Sequence, residues 1–248
     1  MIYNCLKDKN ILITGATSGI GYEMAHQFAE EGANLILTGR KQGKLADMET
    51  ELPGNIVSVP FDLMNLGDIE EIFQTAKERL GKLDGMVHCA GMADNSIVKA
   101  NDMDAMKRVM DLNAFSFVEL GKYFSMNKYS VNGSAVVAVS SIASILNDPG
   151  MVQYSASKAA LNAAVKTMAK EFLKRKIRVN AILPANVNTE MFTSGTDVIE
   201  DFMEKALERQ PIGIIAPEQI AYLAEFLLSE NAKFITGELL VIGGGMAY

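Results

Sequence analysis

The chain has 248 residues, of which 49% are hydrophobic and 21% are charged, and its formal net charge is −7. This balance is typical of a globular protein with a large core, and the acidic charge argues against a nucleic acid as the main partner. Cys5 and Cys89, the two cysteines, lack the paired spacing of a disulfide framework or a metal cluster. No apolar run approaches the roughly 20 residues of a membrane helix, so we expect a cytoplasmic protein with no membrane span and no metal.

Seven short apolar runs, rich in Val, Ile and Leu, alternate with longer amphipathic segments along the chain. Continuous apolar runs are typical of strands buried on both faces, and the segments between them are long enough for right-handed crossover helices. The pattern predicts an α/β fold with a doubly wound, seven-stranded parallel sheet of the Rossmann type, in one domain over residues 1–248. The predicted strands are residues 10–14, 34–38, 56–61, 85–89, 135–140, 177–183 and 238–242.

The segments between the strands contain recognisable helix ends. Residues 22–32 and 66–81 each finish on a glycine, and residues 157–176 finish in a basic turn that suits the helix dipole. A polar segment with Met and Phe, from about 189 to 217, interrupts the alternation before the last strand. It is either a lid over a substrate site or an extra surface helix, and we favour the lid.

A glycine turn, TGATSGIG, follows the first strand and opens the first helix. Gly15, Gly19 and Gly21 let the backbone turn tightly and approach a ligand, while the helix N-terminus offers free N–H groups to a pyrophosphate. Glycines alone are weak evidence, because turns collect them for steric reasons. Their place directly after the first strand of an α/β chain nevertheless predicts a dinucleotide site. The other predicted contacts in this turn are Thr17, Ser18 and Ile20.

The end of the second strand, NLILTGRKQ, lacks the carboxylate that commonly binds the adenosine ribose hydroxyls. Gly39 leaves room there and Arg40 brings a cation, which suits the additional phosphate of NADP; the alternative is that Arg40 is a solvated surface residue. We therefore predict NADP in preference to NAD. Asp62, after the third strand, either accepts a bond from the adenine amino group or caps the next turn. Leu63 beside it belongs to the same predicted contact.

Six short motifs occur in a characteristic order: TGATSGIG, CAG at 89–91, Asn113 in DLNAF, Ser141 in VSSIAS, YSASK at 154–158 and PANVNT at 184–189. In order and interval they resemble the short-chain dehydrogenase/reductase family, in its compact single-domain branch. The resemblance covers nearly the whole chain, up to the closing ITGELLVIGGG. Each motif by itself has low specificity, but the six motifs together, in this order and at these intervals, are a highly specific signal.

The resemblance assigns the chemistry to a tyrosine and a lysine one helical turn apart. Side chains at i and i+4 share a helix face, so Tyr154 and Lys158 can both face one cleft. Tyr154 would exchange a proton with the substrate oxygen while nicotinamide exchanges a hydride with the neighbouring carbon. An ammonium group favours a nearby phenolate, so we expect Lys158 to lower the pKa of Tyr154. The resemblance further implies that Lys158 holds the nicotinamide ribose and that Asn113 anchors a water relay.

Ser141 lies 13 residues before Tyr154, the interval that the family uses for the serine that orients the substrate oxygen. Its competitor is Ser140. Successive side chains at a strand end point to opposite faces, so only one of the two should face the cleft, and the spacing selects Ser141. Ser140 would then bond to nearby backbone. The remaining cofactor contacts implied by the resemblance are Ala90, Gly91, Pro184, Val187 and Thr189.

The chain departs from the family pattern at two positions. Cys89 replaces the usual asparagine of the Asn-Ala-Gly motif, and we expect it to behave as a small buried thiol and not as a redox group. Ala185 replaces the glycine that usually follows Pro184, so the loop under the nicotinamide must avoid a positive φ there. Val187 and Thr189 still match the positions that bind the carboxamide.

The resemblance implies an NADP(H)-dependent oxidoreductase that acts on a carbonyl or a secondary alcohol, with a 3-oxoacyl reductase as the leading specific activity. The alternatives are a nucleotide-sugar epimerase or dehydratase, and a regulatory protein that binds NADP without turnover. A small-molecule substrate is expected in an apolar pocket. By analogy with family positions, that pocket is lined by Met92, Ile142, Met151, Met191 and Phe192; the alternative is that these residues belong to the core, since Met is an adaptable filler.

Three further features concern partners and histidines. The basic residues 174–176 form either a solvated helix end, which we favour, or a docking site for an acidic acyl carrier protein. Family members are commonly tetramers, so we expect a homo-oligomer, a tetramer or a dimer, that pairs through the Ala-rich face of the long helix. His26 and His88 stand in no cluster and are expected to be ordinary structural residues.

Overall fold

The computed structural model describes residues 5–193 and 202–246. A parallel seven-stranded sheet forms its centre, in the order β3-β2-β1-β4-β5-β6-β7. All seven predicted strands are present, with ends that differ from the prediction by up to five residues. The strands are β1 (Asn10–Thr14), β2 (Asn34–Gly39), β3 (Ile56–Pro60), β4 (Leu83–His88), β5 (Ser130–Val139), β6 (Arg178–Pro184) and β7 (Leu239–Ile242).

Helices connect the strands, and the largest of them cover both faces of the sheet. Among the described residues they are α1 (Gly19–Glu30), α2 (Gln42–Glu51), α3 (Glu70–Arg79), α4 (Met103–Met110), α5 (Ser116–Phe124), α6 (Ala143–Leu146), α7 (Val152–Glu171), α8 (Glu190–Thr193), α9 (Phe202–Arg209) and α10 (Pro217–Leu228). A π-helical turn over Asp111–Phe115 joins α4 to α5. None of the described helices is both long enough and apolar enough to cross a membrane.

The core consists of two apolar layers, one on each face of the sheet. Successive side chains of a strand point to opposite faces, so Ile11 and Ile13 of β1 pack in one layer and Leu12 in the other. Residues of α1, α2 and α10 complete the first layer, and residues of α3, α5 and α7 complete the second. The predicted doubly wound α/β fold is therefore confirmed.

The order of the strands creates a crevice at one end of the sheet. β1 lies between β2 and β4, so the connections that leave β1 and β4 run to opposite sides. In open parallel sheets, ligands bind at the carboxyl ends of the strands at such a switch point. The glycine turn after β1, the segment after β4 and the start of α7 all meet there.

The end of α7 differs from the prediction of a solvated basic turn. The α-helix begins at Val152, two residues before Tyr154, and a 3₁₀ turn over Phe172–Arg175 follows it. The Arg175 guanidinium donates to Ser130 O (2.7 Å), Ser130 Oγ (3.0 Å) and Ser125 O (2.7 Å). Arg175 therefore fastens the end of α7 to the start of β5. Lys174 and Lys176, its neighbours, are exposed as expected.

The segment predicted as a lid, residues 189–217, contains α8 and α9. Residues 194–201 of this segment lie outside the described residues. The short helix α8 follows the loop after β6, and α9 leads through residues 210–216 into α10. Both helices lie over the carboxyl end of the sheet, where their residues border a cleft.

Candidate active site

A cleft of about 700 Å³ opens at the carboxyl ends of the strands. It is bordered by the β1–α1 turn, the segment after β4, the end of β5, the first turns of α7, the loop after β6, and the helices α8 and α9. The cleft brings together most of the sequence-predicted site residues. They are Gly15, Ser18, Gly19, Ile20, Gly21, Ala90, Gly91, Ser141, Tyr154, Lys158, Pro184, Val187 and Thr189.

The glycine turn forms one end of the cleft. Gly15 and Gly19 have positive φ angles of 68° and 52°, which favour glycine. A methyl group on Gly15 would lie 2.8 Å from Ala90 N, and one on Gly21 would collide with the carbonyl of Gly15. Ser18, the residue before α1, does not cap the helix with its side chain. The free N–H groups of α1 and the close backbone approach therefore fit the diphosphate of a dinucleotide.

A buried network holds the chain that crosses the cleft floor after β4. Thr14 Oγ1 accepts the N–H of Ala90 (3.2 Å) and lies 3.0 Å from His88 Nδ1. Burial, and secondarily the charge of Lys158, lowers the pKa of His88 to about 3, so its ring is neutral at pH 7. His88 is thus a structural residue that supports the Ala90–Gly91 segment, whereas His26 stacks on Tyr22 at 4.4 Å, away from the cleft.

Tyr154, Ser141 and Lys158 meet at the centre of the cleft. Tyr154 lies in the first turn of α7, with its hydroxyl close enough to the side chain of Ser141 for that serine to lower the pKa of the phenol. Lys158, one turn further on, is only 4% exposed. Its Nζ donates to Val139 O (2.9 Å) and lies 5.8 Å from the centre of the Tyr154 ring. A phenol and a serine hydroxyl thus stand together, with an ammonium group behind them.

The pKa values of the pair differ from the expectation for Tyr154. Burial raises the pKa of Tyr154, and the hydrogen bond from Ser141 offsets this only in part. The predicted lowering by Lys158 is not seen, because the ammonium group points to Val139 O. Burial lowers the pKa of Lys158 itself to about 8. The site therefore holds a protonated phenol beside a lysine that titrates close to neutrality.

The two serines at the end of β5 have different environments. Ser140 is buried, with its Oγ 3.4 Å from the carbonyl of Lys158, a weak contact inside the fold. Ser141 Oγ accepts the N–H of Ala143 (3.1 Å), and its side chain approaches the hydroxyl of Tyr154. Both serines line the cleft, contrary to the expectation that only one would face it, but only Ser141 lies close enough to Tyr154 to lower the pKa of the phenol.

Asn113 lies behind the cleft and does not line it. In the π-helical turn it is fully buried, and its Oδ1 accepts the N–H of Met92 (2.8 Å). Its Nδ2 donates to Met92 O (2.9 Å) and to Ser157 Oγ (2.9 Å). A methyl group on Gly91 would lie 3.2 Å from Asn113 Oδ1 and 3.3 Å from Lys158 Nζ. The side chain of Asn113 therefore connects the segment after β4 to α7 by hydrogen bonds to Met92 and Ser157. These bonds lie immediately behind Lys158.

Four predicted cofactor residues lie outside the cleft lining. Thr17 is buried, with its Cγ2 3.2 Å from the position of a methyl group on Gly39. Arg40 is exposed at the end of β2. Asp62 Oδ1 accepts the N–H of Met64 (3.0 Å), which is the turn-capping alternative, and Leu63 packs in the core beside it.

The substrate end of the cleft has the expected methionines and several polar residues that the sequence did not reveal. Met92, Met151, Met191 and Phe192 line it, but Ile142 is buried and lies outside the lining, which corrects that prediction. Ile142 instead packs toward the chain at Gly243, behind the cleft wall. The residues missed are Asn95, Asp148, Asn186, Glu190, Lys205 and Arg209.

An ion pair joins two of these missed residues across the substrate end. Arg209, the last residue of α9, has a guanidinium nitrogen 2.9 Å from Asp148, which precedes α7. They are 61 residues apart in the sequence, and neither belongs to a recognisable motif. No local signal could have predicted their contact, because it arises only when α9 lies against the α6–α7 connection.

Both departures from the family pattern are accommodated. Cys89 lies 3.5 Å from Met24 Sδ, and burial raises its thiol pKa to about 12, so the thiol stays protonated. Ala185 is absent from the described residues with positive φ, as the sequence required. Its N–H donates to Ile242 O (2.9 Å), which fixes the start of the loop after β6 to β7.

Comparisons with known proteins agree with this geometry. A family described as Enoyl-(Acyl carrier protein) reductase matches residues 15–247. The 3-oxoacyl-[acyl-carrier-protein] reductase FabG of Thermotoga maritima is 33% identical, over 97% of this chain and 98% of that protein. Glucose 1-dehydrogenase 2 of Bacillus subtilis is 31% identical, over 99% of this chain and 97% of that protein.

Solved structures give the same result. A short-chain type dehydrogenase/reductase from Mycobacterium ulcerans superposes with a TM-score of 0.90 at 28% identity, over 97% of this chain and 90% of that one. The matches in sequence and structure span nearly the whole chain, including every part of the cleft. The chain therefore belongs to the short-chain dehydrogenase/reductase family, and it is an oxidoreductase that acts on CH–OH and C=O groups.

Proposed function

We propose that the protein is an NADP(H)-dependent reductase of carbonyl compounds, able to run in reverse on secondary alcohols, with 3-oxoacyl groups as the leading substrate class. The observation that supports this most strongly is the meeting of Ser141, Tyr154 and Lys158 in the cleft that also contains the glycine turn. A proton donor, an orienting hydroxyl and a dinucleotide cradle are the parts that such a reaction requires.

The residues around the cleft fit a nicotinamide dinucleotide. The turn from Gly15 to Gly21 would hold the diphosphate, and Ala90 and Gly91 would lie against the ribose next to it. Lys158 would hold the nicotinamide ribose, and residues 184–189 would hold the carboxamide. Bound there, the nicotinamide would supply the hydride for reduction or accept it in oxidation.

The preference for NADP rests on the end of β2. Arg40 offers an exposed guanidinium there, and Gly39 leaves the space beside Thr17 free of a side chain. A guanidinium suits a phosphate monoester through charge-assisted hydrogen bonds, whereas a carboxylate at this point would repel it.

In the direction of reduction, Tyr154 donates its phenolic proton to the carbonyl oxygen as the carbon gains a hydride. Ser141 holds the same oxygen by a hydrogen bond. Lys158, with a pKa of about 8, stands behind the tyrosine, with its Nζ 5.8 Å from the centre of the phenol ring. Asn113 is a positioning residue in this scheme, since its side chain fixes the segment beside Lys158 and α7.

The walls of the substrate end favour an apolar or acyl group beside the carbonyl. Met92, Met151 and Met191 are flexible and polarizable, so they can adapt to a chain of varied length. The relative from Thermotoga maritima is named for a 3-oxoacyl substrate and that from Bacillus subtilis for glucose, so the names of relatives do not select one substrate.

We also propose a cytoplasmic homo-oligomer, a dimer or tetramer, that acts on a small molecule. An acyl carrier protein is the less favoured partner. Arg175, the centre of the basic patch that would dock it, is engaged by Ser125 and Ser130 within the chain.

The test is a panel of carbonyl compounds, including 3-oxoacyl thioesters, ketones and aldoses, with NADPH and NADH in parallel. We expect oxidation of NADPH, followed by the fall in absorbance at 340 nm, and a slower reaction with NADH. A Tyr154→Phe preparation serves as the blank for contaminating reductases. Binding of NADPH without turnover across the panel would favour a regulatory protein, and turnover of a nucleotide sugar without net cofactor oxidation would favour an epimerase.

A further inference from the structure

Gln210 is a large polar residue with no exposed surface, and it takes no part in the proposed carbonyl reduction. It follows the last residue of α9, where its N–H still donates to Ala206 O (2.9 Å). Its side chain turns inward, between the loop after β6 and the glycine-rich end of the chain. A methyl group on Gly244 would lie 2.6 Å from Gln210 Cγ, so the chain end packs directly against this side chain.

The amide group of Gln210 is hydrogen-bonded to the backbone on both sides. Its Oε1 accepts the N–H of Asn186 (2.9 Å), and its Nε2 donates to the carbonyl of the same residue (3.1 Å). The second hydrogen of Nε2 goes to Gly213 O (2.7 Å). The side chain thus pairs with Asn186 as a neighbouring strand residue would, and both of its N–H donors are used.

The segment held in this way is the loop that borders the nicotinamide end of the cleft. Ala185, Asn186, Val187 and Thr189 all line the cleft. Beyond the contact with Gln210, Asn186 O accepts the N–H of Ile215 (3.0 Å), and the N–H of Asn188 donates to Ile215 O (2.9 Å). Gln210 and Ile215 therefore both bond to the backbone of Asn186, and Ile215 also bonds to that of Asn188.

Gln210 also joins this loop to the substrate side of the cleft. It directly follows α9, of which Lys205, Ala206 and Arg209 line the cleft, and Arg209 pairs with Asp148 across it. A displacement of the loop at Asn186 must therefore move the end of α9, because buried amide hydrogen bonds connect the two.

We infer that Gln210 is a positioning residue that sets the backbone of the loop over residues 184–189 and couples it to α9. The inference rests on the proposed function, in that this loop holds the nicotinamide carboxamide. Loss of the amide removes the partner that Gln210 offers to the Asn186 N–H and to the Gly213 C=O, and leaves Asn186 O with the Ile215 N–H alone. These groups are half-buried, so the loss favours local opening of the loop.

The test compares Gln210→Met, which keeps the length of the side chain and removes its hydrogen bonds, with Gln219→Met at an exposed position of α10. The first measurement is hydrogen–deuterium exchange of the protein without cofactor. We expect the Asn186 amide to exchange roughly tenfold faster in Gln210→Met, with the strands of the sheet unchanged.

The second measurement is the dissociation constant of NADPH and of 2′-phospho-ADP-ribose, which has no nicotinamide. Gln210→Met should weaken NADPH roughly tenfold and leave the fragment unchanged, because only the nicotinamide end meets the altered loop. If the wild type binds NADH better, NADH and ADP-ribose replace these probes. Should Gln210→Met fail to fold, Gln210→Glu takes its place, since it keeps the acceptor for Asn186 and loses the donors.

The outcomes separate the inference from the proposed function. Unchanged exchange at Asn186 overturns the positioning role, and so does equal weakening of NADPH and the fragment, since that marks a general loss of structure. A wild type that binds neither nucleotide refutes the proposed function, while the exchange measurement still tests whether Gln210 holds the loop. The Gln219→Met control should match the wild type in both measurements.

Discussion

Ser140 and Ser141 are adjacent in sequence and both line the cleft, yet only Ser141 lies close enough to Tyr154 to lower its pKa. Ser140 Oγ faces the backbone of α7 at 3.4 Å and is shielded from solvent. The difference follows from the alternation of side chains at the end of a strand. It makes the pair a matched test of the catalytic assignment, because both substitutions remove one hydroxyl from the same turn.

We expect Ser141→Ala to lower kcat roughly 100-fold, because one hydrogen-bond donor to the reacting oxygen is lost. Ser140→Ala should leave kcat close to that of the wild type. Turnover is followed at 340 nm with the best substrate of the carbonyl panel. An equal loss in both variants, or a greater loss in Ser140→Ala, would contradict the role of Ser141.

Arg40 is the residue on which the proposed preference for NADP rests. A carboxylate at the end of β2 would repel the additional phosphate of NADP and accept hydrogen bonds from the ribose hydroxyls of NAD. We expect Arg40→Asp to raise the KM for NADPH at least tenfold and to lower the KM for NADH. The exposed neighbour Lys41 provides the control, since Lys41→Asp changes the net charge equally. The same preference in wild type and Arg40→Asp would remove Arg40 from this role.

At the scale of secondary-structure elements, the strands could be predicted because each has its own local signal. Every residue of β6 is buried, and its sequence is apolar enough to indicate a strand without any knowledge of its neighbours. The start of α7 has no such signal, since Val152 and Gln153 do not indicate a helix cap and Met151 is not a helix cap by type. Element type was thus easier to predict than element ends.

Contacts between distant elements could not be predicted from the sequence. Arg175 was recognised as part of a basic turn, but its partners Ser125 and Ser130 are 50 and 45 residues away. Gln210 has no motif, and a polar residue near a proline is ordinarily expected in a surface turn. Their roles follow from the packing of α7 on β5 and of α9 on the loop after β6, which only the folded chain reveals.

The outward face of α7 is the element that we expect to form the contact between subunits. Ala159 and Ala163 are exposed there, and such small side chains permit two helices to approach closely. Ala163→Arg should shift the protein to a smaller assembly, because the bulky cation prevents close packing while arginine remains a good helix former. Light scattering after size-exclusion chromatography measures the mass.

The matched control for this prediction is Ala46→Arg. Ala46 is exposed on α2, which packs on the opposite face of the sheet from α7. This variant should keep the mass of the wild type. If Ala163→Arg also keeps it, the outward face of α7 lies outside the contact between subunits.

At the scale of the whole molecule, two basic side chains at or near the cleft, His88 and Lys158, are buried. His88 is fully buried, with a pKa of about 3, and Lys158 is nearly so, with a pKa of about 8. In each case the unfolded chain binds the proton more strongly than the folded chain does. The stability of the fold therefore rises with pH through each of these transitions, between pH 3 and 6.5 for His88 and between pH 8 and 10.5 for Lys158.

Lys158 should therefore destabilise the free protein at neutral pH. Below pH 8 Lys158 is charged in both states, and its burial costs on the order of 3 kcal/mol of folding free energy. Lys158→Met removes this cost and keeps a side chain of similar length. It also leaves Val139 O without its donor, which costs about 1 kcal/mol. At pH 7 we thus expect Lys158→Met to be more stable than the wild type by about 2 kcal/mol.

The sign of this difference should depend on pH. Above the folded pKa of about 8, Lys158 loses its proton in the native state, and the cost of burial disappears as the pH approaches 10.5. The neutral amine still donates to Val139 O, so the advantage of Lys158→Met should shrink to about zero near pH 10. Urea unfolding of both proteins at pH 7 and pH 10 measures the difference, with Lys166→Met, on the exposed side of α7, as the control. An advantage of equal size at both pH values would show that Lys158 is not buried as a charged group in the free protein.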